Sequence, residues 1–176
     1  MRPRYKVIDT LISDLRKTGI EFANLPIDIC SIIEKLKIHY KEEEFGSSLS
    51  GAAMIDGRKK IISVNSEHSD HRKRFTAAHE LGHILLHQDQ SLSVDIKPIT
   101  FLRDDIASTG QEWREIEANH FAAGILMPKD LVESELSRLR KKFSDEDELI
   151  SALAEAFDVS PQAMGIRLGT LKVAAL

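Results

Sequence analysis

The chain has 176 residues, 42% of them hydrophobic and 30% charged, with a net charge of −4 and a pI near 6.0. This composition supports one cored domain with at most a small appendage and excludes a disordered chain. It contains no apolar run near the ~18 residues of a membrane-spanning helix, and the acidic balance gives no general attraction to nucleic acid.

The start Met1-Arg2-Pro3-Arg4-Tyr5-Lys6 is basic, but no apolar core follows it, so a secretory signal is not expected. Cys30 is the single cysteine, which excludes an internal disulfide and a cysteine-held zinc cluster. It reads as a small core residue. The expected compartment is the cytoplasm, and any metal must be held by histidines and carboxylates.

Tyr5, Ile8, Leu11, Ile12 and Leu15 predict an amphipathic helix over 5–18, ended by Gly19. A second helix is expected from Pro26 to about Lys37, with Ile29, Ile32, Ile33 and Leu36 as its apolar stripe. Ile38-His39-Tyr40 reads as a short strand. Segments 51–55 and 60–65 flank Asp56-Gly57 and read as a hairpin, so two or three antiparallel strands are expected, with 41–50 as a loop. A helix follows over 69–88. Residues 89–111 lack periodicity apart from a possible extended piece at 96–102, which marks a segment of function or disorder. Helices return at 112–127, 129–142, 145–157 and 161–171, with Met127-Pro128 and Ser160-Pro161 as boundaries.

The chemistry centres on His79-Glu80-Leu81-Gly82-His83. On a helix of 3.6 residues per turn, histidines four apart stand on one face and can reach one metal ion. Glu80 is offset around the helix, placed to take a proton from a water rather than to ligate. A catalytic zinc asks for a third protein ligand. His87 continues the series but lies about 6 Å further along the axis. Asp89 has the offset of a third ligand that needs a glycine turn, and Leu86 stands where that glycine would be. Glu115 and Glu117 lie on the later helix. Glu117 is the expected ligand, since Trp113, Glu117, Phe121 and Gly124 share a face and Ala118, Ala122, Ala123 and Gly124 allow close packing. Glu115 points about 160° away.

Segment 74–87 (RFTAAHELGHILLH), followed by 117–128 (EANHFAAGILMP), resembles the ImmA/IrrE family of bacterial metallo-endopeptidases, as does the hairpin ending in Ile62-Ser63-Val64-Asn65. The similarity covers roughly residues 25–130. It implies a zincin-like fold, zinc as the usual metal, and the glutamate of the EAN-x-FA segment as third ligand. It also implies a substrate: a helix-turn-helix repressor of the XRE type, in a prophage, mobile element, stress operon or toxin–antitoxin pair, whose cleavage relieves repression. Gly124-Ile125 departs from the family, which more often has a larger residue and Leu there.

Tyr40, His120, His39 and Arg103 are possible oxyanion donors, none singled out by spacing. Arg72-Lys73-Arg74 reads as a solvated face. Residues 149–171 resemble a helix-turn-helix, but 145–176 carry six acidic residues against two basic ones, which would repel phosphates. That segment reads as a packing subdomain.

The resulting expectation is an α+β metallopeptidase domain over 1–128, with a small antiparallel sheet, an HExxH helix and a Glu-bearing helix, and a helical, helix-turn-helix-like subdomain over 129–176. His79, His83 and Glu117 would bind zinc, or Mn²⁺ or Fe²⁺ on the same ligands, with Glu80 as general base. A sheet edge would hold the substrate as an added strand. The rivals are a module that sequesters a repressor without cutting it and a DNA-binding regulator built on the last helices.

Overall fold

The computed structural model describes residues 3–18, 22, 24–46, 49–88, 92–95 and 110–173. Along these the order is α1 (Tyr5–Lys17), α2 (Ile29–Lys35), β1 (His39–Glu43), β2 (Gly51–Asp56), β3 (Lys59–Asn65), α3 (Asp70–Leu86), β4 (Leu92–Asp95), α4 (Gly110–Leu126), α5 (Lys129–Leu139), α6 (Glu146–Phe157) and α7 (Pro161–Leu171). The chain is α+β, as expected. Its stripe residues Ile8, Ile12 and Leu15 are buried on α1. The second helix starts later than its pattern suggests, because Asp28 is the capping residue and accepts from Ser31 N at 2.9 Å. Cys30 is exposed on this short helix, which corrects its reading as a core residue.

The sheet is mixed, which corrects the expectation of an antiparallel one. Its order is β1-β3-β2-β4, with β1 parallel to β3 and the other pairs antiparallel. The hairpin forms where Asp56-Gly57 predicts it, with Gly57 at φ +56°. The sequence patterns do not show that β3 inserts between β2 and β1. That arrangement follows from the crossing loop after β1. Asn65, wholly buried at the end of β3, donates to Gly46 O at 2.8 Å and Leu49 O at 2.9 Å and pins both ends of that loop. The expected extended piece at 96–102 lies outside the described residues, and Leu92–Asp95 forms β4 just ahead of it.

Helix α3 lies between the sheet and α4. Ten consecutive residues, Phe75 to Ile84, are buried, so the helix has no solvent face along that stretch. Two glycines make the packing possible. A Cβ on Gly82 would stand 3.2 Å from Ala118 Cα and 3.3 Å from Ala118 O, so the backbones of α3 and α4 meet at this point. A Cβ on Gly51 in β2 would stand 2.4 Å from Thr76 Cγ2 and 3.5 Å from Glu80 Cγ. Gly51 therefore leaves the strand room to lie on the motif helix.

One hydrophobic core runs from Ile8 to Leu168. Arg167 of α7 is buried and donates from Nε to Met127 O at 3.0 Å, joining the last helix to the end of α4. The sequence treats Arg74 as part of a solvated face, yet it points inward. It donates from Nη2 to Ile27 O at 2.9 Å and pairs through Nε with Asp158 Oδ2 at 3.0 Å, linking α3 to the turn between α6 and α7. Ser160 caps α7, accepting from Ala163 N at 3.1 Å. Ile12 Cδ1 lies 2.6 Å from where a Gly124 Cβ would be, so α1 fills the space that a larger residue would take there.

Glycine costs a helix interior about 1 kcal/mol relative to alanine. Its retention at Gly82 is explained by the contact with Ala118. Gly82→Val should lower stability by about 2 kcal/mol, since overpacking against backbone outweighs the propensity gain. Urea unfolding with an unchanged midpoint would contradict this.

Candidate metal centre

His79 and His83 stand one turn apart on α3 with their Nε2 atoms 3.0 Å apart and their rings nearly edge to face. Both are buried. Glu115 of α4 faces the pair, with Oε2 3.2 Å from His79 Nε2 and Oε1 3.3 Å from His83 Nε2. These three residues can each offer a ligand atom within 4.8 Å of the others, the kind of group that could hold a metal ion. His79 Nδ1 meets Asn119 Oδ1 at 2.9 Å. An amide oxygen there places the proton on Nδ1 and turns the Nε2 lone pair toward the cluster, the arrangement that metal-binding histidines need. Two facing Nε2 atoms and a carboxylate aimed at one point repel one another unless a proton or a cation lies among them. The donor set therefore suits a divalent ion.

Burial alone would raise the Glu115 carboxyl; with a proton shared among the ring nitrogens in place of a cation, hydrogen bonds from His79 and His83 outweigh burial and hold the group well below the usual carboxylate range. Its side chain is 43% exposed, so the cluster meets solvent on that side. Glu80 is wholly buried on the side of α3 that faces β2, beneath Gly51.

The structure places Glu117 elsewhere than the sequence reading did. It brings Glu115 to the histidines, while Glu117 binds Arg4. Glu117 Oε1 accepts from Arg4 N at 2.7 Å and Nε at 3.0 Å, and Oε2 accepts from Nη2 at 2.7 Å. The physical reason is which side of α4 packs on α3. Ala118 touches Gly82 and Asn119 touches His79, so the α3 face carries 115, 118 and 119. Glu117 and Gly124 face α1, through Arg4 and Ile12. The signal was present as Glu115, Ala118, Asn119 and Ala122, spaced i, i+3, i+4, i+7. Gly51 and Arg4 had no comparable signal.

Of the other candidates, His87 is buried at the end of α3, 3.3 Å from Arg114 O and 3.8 Å from Glu117 Oε2; burial lowers its pKa. Tyr40 donates its hydroxyl to Glu42 at 3.0 Å on β1, and His39 is exposed on the same strand. His120 meets Asp9 at 3.1 Å and lies against Tyr5. Asp89 and Arg103 lie outside the described residues.

Comparison with known proteins gives a consistent result. A family model described as the IrrE N-terminal-like domain, a peptidase family, matches residues 33–169. The chain is 34% identical over 106 residues to the radiation response metalloprotease IrrE of Deinococcus deserti, covering 60% of this chain and 34% of that protein. It is 32% identical over 109 residues to the protein of the same name from Deinococcus radiodurans, covering 60% of this chain and 30% of the other. The chain thus spans about a third of the length of these curated relatives.

Burial raises the Glu117 carboxyl, but the Arg4 hydrogen bonds outweigh this and hold it below its ordinary value of 4.5. A depressed folded value means stability that is present above the unfolded pKa and lost as pH falls through the folded one. Acid unfolding followed from about pH 5 downward should be shallower for Glu117→Gln than for the unaltered chain. Superimposable acid limbs would refute this assignment.

Proposed function

The chain belongs to the IrrE N-terminal-like peptidase family, and from that premise we propose that it is a metal-dependent endopeptidase with His79, His83 and Glu115 as ligands and Glu80 as general base. The observation that carries this reading is the convergence of the Glu115 carboxylate on both imidazole Nε2 atoms, with Asn119 orienting His79. Two nitrogens and one carboxylate oxygen form a zinc ligand set with room for a further position, and Mn²⁺ or Fe²⁺ accept the same donors. When bound, such an ion supplies Lewis acidity toward water and the scissile carbonyl.

Glu80 takes one proton from the attacking water as its oxygen bonds to the carbonyl carbon. It returns that proton to the amide nitrogen as the C–N bond breaks, so one water is consumed and a carboxyl and an amine leave. Its burial beneath Gly51 holds the carboxylate in one place on α3. Outside β2 lies β4, an edge strand among the described residues, beside the strand that covers Glu80. An extended substrate segment could add to that edge through main-chain hydrogen bonds.

The proposed substrate is a cytoplasmic helix-turn-helix repressor of the XRE type, cut to relieve repression in a prophage, mobile element, stress or toxin–antitoxin system. The resemblance of segments 74–87 and 117–128 supports this, and the radiation response named for the Deinococcus relatives fits a stress setting. Residues 129–176 act as a helical packing subdomain of the peptidase domain at 1–128. The Arg167–Met127 and Arg74–Asp158 contacts support that role, and the acidic excess over 145–176 disfavours DNA binding.

Zinc analysis and incubation with an XRE-type repressor encoded beside this chain, read by mass spectrometry, test the proposal. Glu80→Gln should retain the ion and lose activity by about 10²-fold or more. Glu115→Ala should lose stoichiometric zinc. Asn119→Ala should bind it about 10–100-fold more weakly. Full relief of repression by Glu80→Gln would replace proteolysis with sequestration, and undiminished zinc in Glu115→Ala would refute the ligand set.

A further inference from the structure

A buried glutamate that does not face the histidines still requires a role. Glu117 is 5% exposed and receives three hydrogen bonds from Arg4, the residue just ahead of α1. Arg4 Nη2 also reaches Leu86 O, at the end of α3, at 3.4 Å. His87, the next residue, stands 3.8 Å from the same carboxylate and 3.3 Å from Arg114 O on α4. The N-terminal arm, the end of α3 and the first half of α4 are thus joined through one carboxylate. The junction lies one turn beyond His83 on α3 and two residues beyond Glu115 on α4. Arg4 precedes the residues matched by the family, which begin at 33.

We infer that Arg4 and Glu117 are positioning residues that set the separation of His83 from Glu115, so that the metal affinity of the centre depends on the N-terminal arm. The inference rests on the ligand set proposed above. Its logic is geometric. Ligand distances in a metal site are tolerated only within about ±0.2 Å. Without Arg4, the Glu117 charge stays buried with its main partner gone, a costly state relieved when α4 shifts or turns toward solvent. Glu115 lies on the same rigid helix and moves with it. A second tie from α1 supplies the control. Arg16 pairs with Asp130 of α5 through two bonds of 2.7 Å and lies over the Phe22 ring.

The test is zinc affinity by competition with a chromophoric chelator, together with the Co²⁺ absorption spectrum. It is read on the full chain and on Arg4→Ala, Arg4→Lys, Glu117→Gln and Arg16→Ala, with thermal unfolding of each metal-free protein. Arg4→Ala and Glu117→Gln should bind zinc about tenfold more weakly and change the cobalt spectrum. Arg4→Lys should fall between, since an ammonium keeps the charge but not the two-pronged contact. Arg16→Ala should keep full affinity even if its melting temperature falls. Unaltered affinity in Arg4→Ala would overturn the inference and leave the ligand set standing. An equal loss in Arg16→Ala would also overturn it, by showing a general loosening of α1. If Arg4→Ala fails to fold, Arg4→Lys decides by the same criterion. Absence of metal binding by the unaltered chain would overturn both readings.

Discussion

The site depends on the distance between two helix backbones. α3 and α4 approach so closely at Gly82 and Ala118 that no side chain fits between them. Because of that approach, a carboxylate on one helix lies within 3.3 Å of two imidazoles on the other. A wider gap filled by ordinary apolar side chains would move the helix axes apart and leave Glu115 short of the histidines. The packing here is set by absent side chains: Gly82 against α4 and Gly51 against Thr76 and Glu80. The second gap brings β2 down onto the motif helix at Thr76 and Glu80. The motif helix is thus held by α4 and by β2 at once.

The electrostatics follow from this packing. Glu115 and Glu117 are two residues apart, both buried enough to be destabilised as anions, and both stabilised by cationic or hydrogen-bonding neighbours. They face opposite ways and take different partners. One meets two imidazoles, the other a guanidinium from the start of the chain. A helix that takes carboxylates partly or wholly out of water on two sides needs a compensating partner on each, and α3 and the N-terminal arm provide them.

Much of this was legible in the sequence because it is periodic or local. The HExxH spacing is a one-turn repeat, and the stripes at Ile8, Ile12 and Leu15 and at Ile29, Ile32 and Ile33 repeat at three and four. Ser160-Pro161 and Asp56-Gly57 carry their turn chemistry within a few residues. What was misread is tertiary. Both Glu115 and Glu117 lie on the same predicted helix, and only the packing partner of each face decides between them. The small residues divide between two faces: Ala118 lies on the α3 face with Glu115 and Asn119, and Gly124 on the α1 face with Glu117. The parallel pairing of β1 is accompanied by Asn65 reaching back to Gly46 and Leu49, a contact no local pattern announces. Arg74 reads as surface charge because its partners, Ile27 and Asp158, are 47 and 84 residues away.

The unbroken burial of Phe75 to Ile84 bears on how this protein could vary. A surface helix has one side on which replacements are nearly neutral, and this decad has none. Folding and chemistry therefore constrain the same ten positions, and a change that improved one would be judged at once by the other. Tolerated change would have to arise where the chain meets solvent, such as the outer face of α1, with the buried decad left as it is.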